Sequence, residues 1–66
     1  MYITIELQKN ADGHVANIVT EHATLAEAES KYHAILSVAS VSTIPVHSAV
    51  IVSEEGFPVA HKCYKH

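Results

Sequence analysis

Two short stretches hold most of the side chains able to do chemistry. One is Glu29-Ser30-Lys31-Tyr32-His33 and the other is His47-Ser48. Hydroxyls and an ammonium group are suited to phosphate oxygens, and Tyr or His rings stack on bases. Ser30, Lys31, His33, His47 and Ser48 are therefore the expected ligand contacts. They would line a polar pocket at one end of a helix–sheet interface, for an anionic, nucleotide-like molecule. Below the pKa of imidazole the two histidines would add cationic donors. The plainer role of Glu29 and His33 is a side-chain pair four apart on a helix, worth about 0.2–0.5 kcal/mol. No Gly-rich phosphate loop accompanies these residues. The only glycines, Gly13 and Gly56, fall in turn sequences.

Other chemistries have weaker support. Six histidines and the ending His61-Lys62-Cys63-Tyr64-Lys65-His66 raise the question of a metal. Zinc sites favour tight paired spacings such as C-x-x-C, and none is present, so no metal and no cofactor are expected. Cys63 with a histidine would be a thiol nucleophile only if an oxyanion hole stood beside it, and nothing in the sequence marks one. His33 and His47 as an acid–base pair for phosphodiester cleavage is no stronger. No catalytic residue is assigned, and the chain is read as a binder.

These residues must be positioned by few elements. Met1–Gln8 alternates Ile3, Ile5 and Leu7 with Thr4, Glu6 and Gln8, the pattern of a strand with one wet face. Asp12-Gly13 supplies a hairpin turn, and Val15–His22 returns as an edge strand. Thr24 with Glu27 forms a capping box for a helix running from Leu25 to about Ser40. Its core stripe is Leu25, Ala28, Tyr32, Ile35, Leu36 and Ala39. After Pro45 comes a third strand, Val46–Ser53. Its Val46, Val50 and Val52 face one way, and Ala49 and Ile51 the other. Glu54-Glu55-Gly56 turns the chain into a fourth strand, Phe57–Tyr64, with Pro58 at a strand start or edge. The expected fold is α+β, a single domain over 1–66 with order ββαββ. Two hairpins joined by one helix give a four-stranded antiparallel sheet, strand order 2-1-3-4, with the helix on one face. The other face would be left carrying Ala49 and Ile51.

A chain of 66 residues buries only roughly 60% of its unfolded surface and is marginal alone. One cysteine excludes an internal disulfide and suits a reducing compartment, so oligomerisation is the expected support. From Tyr32 to Ser53 there is no Asp, Glu, Lys or Arg. The outward helix positions Ser30, Ala34, Ser37 and Val41 are small or apolar where a solvated helix shows charge. Both features point to a partner surface, and the first partner expected is a second copy of the chain. Duplex nucleic acid is not an expected partner, because the net charge is −3 with four Lys and Arg in all. No membrane partner is expected either, since Ser, Thr, His and Pro interrupt the uncharged stretch. The N-terminus alternates and lacks a basic leader, so the expected location is the cytoplasm.

Glu29-Ser30-Lys31-Tyr32-His33, His47-Ser48-Ala49 and Cys63-Tyr64-Lys65-His66 also resemble the words of a family of very short proteins from gut Firmicutes and their phages. The likeness runs over nearly the whole chain. It implies, by analogy with other small phage proteins, a homo-oligomer that sequesters a nucleotide-derived immune signal without cleaving it. Cyclic dinucleotides and relatives of cyclic ADP-ribose are the ligand class, and the host cytoplasm is the setting. The alternative is a protein–protein module that inhibits or scaffolds a host or phage protein.

Overall fold

A computed structural model describes residues 1–66. The elements run β1 (Tyr2–Lys9), β2 (Val15–His22), α1 (Leu25–Ala39), β3 (Val46–Ser53) and β4 (Pro58–Lys65). The four strands form one antiparallel sheet in the order β2-β1-β3-β4, and α1 lies on one face of it. The ββαββ architecture and strand order expected from the sequence are those observed.

Both hairpins are closed by the same kind of loop. Gly13 N–H donates to the Asn10 carbonyl at 3.0 Å, and Asn10 N–H to the His14 carbonyl at 2.9 Å. In the second hairpin Gly56 N–H donates to Ser53 at 2.8 Å, and Ser53 N–H to Phe57 at 2.9 Å. Each loop needs a left-handed residue at its fourth position, and Gly13 (φ 90°) and Gly56 (φ 84°) supply it without a Cβ penalty. The helix begins where the sequence says it should. Thr24 Oγ1 accepts from Glu27 N–H at 3.2 Å, and Glu27 returns a carboxylate oxygen to Thr24 N–H at 3.2 Å. Two of the otherwise orphaned donors at the helix start are thereby satisfied.

The core is made by close approach of small residues. Ala28, Ala39 and Ala49 are essentially fully buried, and Tyr32, Ile35 and Ile51 fill the space between them. Thr4 is buried beneath the helix, its hydroxyl directed at the Ala28 carbonyl at 3.5 Å. Only nine of 66 residues are buried, a core too small to support the chain generously on its own.

The helix covers the face opposite to the one expected. It lies over His47, Ala49 and Ile51 of β3, and over Thr4 and Glu6 of β1. The valines of β3 and the isoleucines of β1 are therefore on the uncovered face. The physical reason is polar. His47 finds its two partners, Glu6 and Ser42 of the α1–β3 loop, on the helix side of the sheet, and the alanines of α1 and β3 let the backbones approach. β2 is an edge strand as expected, and β4 runs one residue later at each end than the expected Phe57–Tyr64, with Pro58 at its start. The helix is one residue shorter than expected, with Ser40 as its C-cap.

Candidate functional site: a buried polar clamp and an open apolar sheet face

The densest polar cluster joins three segments distant in sequence. Glu6 points from β1 toward the helix, next to Gln8 on the same face. His47, at the start of β3, sits diagonally across the strand pair from Glu6, because Gln8 is its direct neighbour. Glu6 Oε2 lies 2.6 Å from His47 Nε2 and accepts from Gln8 Nε2 at 2.8 Å. The other ring nitrogen, Nδ1, is 3.1 Å from Ser42 Oγ in the loop after α1. A carboxylate can only accept, so Nε2 carries the proton, and in neutral imidazole Nδ1 is then the acceptor for Ser42. The ring is 1% exposed.

The Glu6 carboxyl is held below its ordinary value. Burial acts to raise it, but is outweighed by the hydrogen bonds from His47 and Gln8 and by the electrostatic pull of the His47 ring and the Lys31 ammonium. Lys31, Ala34, Ile35 and Val38 of α1 join Glu6 around a shallow depression of about 330 Å³ beside this cluster.

A serine, an imidazole and a carboxylate in series invite comparison with a nucleophile relay. The surroundings favour a clamp instead. Ser42 follows the C-terminal end of α1, where carbonyl groups project and developing negative charge is disfavoured. The nearby N–H groups are engaged: Ser40 donates to Leu36, Val41 to Val38 and Ser42 to Ala39. With its ring buried, His47 has no open side on which to hand a proton to a substrate. What the series does is tie β1, β3 and the α1–β3 loop together.

The five expected ligand residues do not converge. Lys31 borders the depression beside Glu6. His33 is exposed and meets only the edge of the Tyr32 ring, with centroids 5.5 Å apart. Ser30 is exposed on the helix. His47 is inside the clamp, and Ser48, its neighbour, turns to the opposite face of the sheet, buried between Leu7 and Cys63. Glu6, Gln8 and Ser42 were not expected at a site. Their alternation marked Glu6 and Gln8 as a wet face, and only the position of the helix reveals that this face is covered.

The C-terminal residues divide in the same way. His61 and Cys63 project to the open face, opposite Val50 and Ser48. His66 returns to the helix side, its Nε2 donating to the Ala39 carbonyl at 2.9 Å and its backbone N–H to Pro45 at 2.8 Å. No group of three or more His, Cys, Asp or Glu side chains is placed to hold a metal ion.

The uncovered face is the second feature. Its two central strands present Ile3, Ile5 and Leu7 from β1 beside Val46, Val50 and Val52 from β3. Edge strand β2 adds Val15 and Val19, which are 48% and 58% exposed. Charges stand only at the ends of the strands: Lys9 and Lys65 at one end, Glu21 near the other. No helix is long and apolar enough to cross a membrane.

Comparison with protein-family models, with curated proteins and with solved structures finds no match to this chain.

Proposed function

We propose that the chain is a protein-interaction module whose working surface is the uncovered face of its sheet. One observation carries the reading: the apolar side of both central strands lies outside the fold, with no element of the chain over it. Contiguous apolar surface beyond a few hundred Å² marks a contact site. A face of this kind acts by being covered by another protein surface, and the resemblance to phage proteins makes a host or phage protein in the cytoplasm one class of partner.

Sequestration of a nucleotide-derived signal is the competing reading, and it has less support. Phosphate would be expected at Lys31, but the Glu6 carboxylate shares that depression and opposes an anion there. Equilibrium dialysis against cyclic dinucleotides and cyclic ADP-ribose isomers tests the choice. An interaction module retains none of them. Retention that is lost in Lys31→Ala and kept in Val19→Lys would return the function to a nucleotide sponge.

A further inference from the structure

We infer that the open sheet face is covered by a second copy of this chain, packed face to face about a twofold axis that runs across the strands. The inference rests on the interaction-module reading and names its occupant. Three observations lead to it.

The first is size. The molecule measures 34 × 20 × 14 Å, and its sheet of four paired eight-residue strands is about 26 Å long and about 19 Å wide, large enough to form its broad side. That side offers on the order of 600 Å² to a partner, close to the ~800 Å² per partner of a standard stable interface. The surface is broad and gently shaped. It suits another sheet at a spacing of ~10 Å better than a single helix or extended peptide, either of which would leave most of it wet.

The second is the arrangement of polarity. Ile5, Leu7 and Val50 lie at the centre, with small Ser48 among them, while Lys9, Asn17, Glu21, His61 and Lys65 lie at the margin. An apolar centre within a polar rim is the anatomy of a protein interface.

The third is charge, and it selects both the occupant and the axis. Lys9 stands at one end of β1, and Glu21 lies one residue from the other end of β2, on the same face. A twofold axis running across the strands reverses strand direction and keeps each strand over its own copy. The Lys9 end of one protomer then lies over the Glu21 end of its partner, twice by symmetry. An axis parallel to the strands would instead gather the Lys9 and Lys65 ammonium groups of both copies at one end. The face is thus complementary to itself in the first arrangement and repelled in the second. The assembly is a four-layer helix–sheet–sheet–helix sandwich, with both polar clamps and both depressions on its outside.

Sedimentation equilibrium of the purified chain from 1 to 200 μM, with the reactivity of the Cys63 thiol toward dithionitrobenzoate, tests the arrangement. Cys63 lies on the open face, so it reports coverage directly. The expected result is twice the chain mass and slow thiol reaction. Leu7→Lys and Val19→Lys alter side chains that the lone fold leaves exposed, so circular dichroism should be kept. Each should weaken association about 30-fold or more and release the thiol. Lys9→Glu and Glu21→Lys should each weaken the dimer, and the double swap should restore it. Failure of the double swap, with Leu7→Lys still disruptive, overturns the axis. A monomer at 200 μM with a fast thiol overturns the second copy as occupant. If that monomer binds an apolar dye and Val19→Lys abolishes the binding, the interaction reading stands without it. A dimer that ignores both lysine variants and is broken by Ala34→Glu overturns both.

Discussion

The carboxylate of Glu6 and the imidazole of His47 meet at 2.6 Å across the seam between β1 and β3, although 41 residues separate them in sequence. Around that contact the chain is internally consistent. Gln8 supplies a second donor to the carboxylate, Ser42 partners the far ring nitrogen, and the helix excludes water from the ring.

Removing the carboxylate should therefore cost more than a surface change. Glu6→Ala leaves a buried imidazole N–H without a partner, an expense of about 1–3 kcal/mol. Glu6→Gln keeps an acceptor and should lose less. Urea unfolding of the two variants beside the parent chain measures the order.

The same contact gives stability a dependence on acid. The Glu6 carboxyl is depressed in the folded state, so folding binds fewer protons there than the unfolded chain does. Its contribution is fully present above the unfolded value of 4.5 and is lost as pH falls through the lower folded value. Thermal melts from pH 7 down to pH 3 should show a decline that is smaller in Glu6→Gln. A decline of equal size in both proteins would assign the acid response to other carboxylates.

Tyr32 is 7% exposed at the centre of the helix–sheet contact. Tyr32→Ala should cost about 3–5 kcal/mol and leave the chain largely unfolded. Burial, and then the nearby Tyr64, push the Tyr32 phenol above 10.0, so its absorbance titration should lag behind that of an exposed tyrosine. Tyr32→Phe, which keeps the ring, should fold; a native-like melt for Tyr32→Ala would show that the ring is not a structural wedge.

Thr24→Ala removes the side-chain half of the capping box and should cost about 1 kcal/mol, read as a lower urea midpoint with unchanged slope. Thr24→Ser should recover most of it.

The local signals in the sequence were enough for element order and topology. Asp12-Gly13 and Glu55-Gly56 mark turns, Thr24 and Glu27 mark a helix start, and two hairpins about one helix admit few closures. Which face the helix covers was not legible. Ile3, Ile5 and Leu7 look like core positions, and Thr4 and Glu6 look like solvent positions, yet the helix lies over the polar pair. Alternation tells two faces apart but does not say which one the chain itself will cover and which it leaves for a partner. The clamp was hidden for the same reason. His47 was visible as a polar residue beginning a strand, but its partners Glu6 and Ser42 reach it only through pairing between distant segments.

That pairing also sets the order of events in folding. Each hairpin is local and closes through a short glycine loop, on a scale of about 1–10 μs. The β1–β3 seam pairs Tyr2 with Ser53 and Lys9 with Val46, so it must wait for a long chain closure. The slow step is then the docking of one hairpin on the other beneath α1. Ser42 and His47 lie only five residues apart and can meet early, whereas Glu6 arrives with the seam. With the seam forming at the barrier, a variant at Glu6 is accordingly expected to slow refolding more than it speeds unfolding.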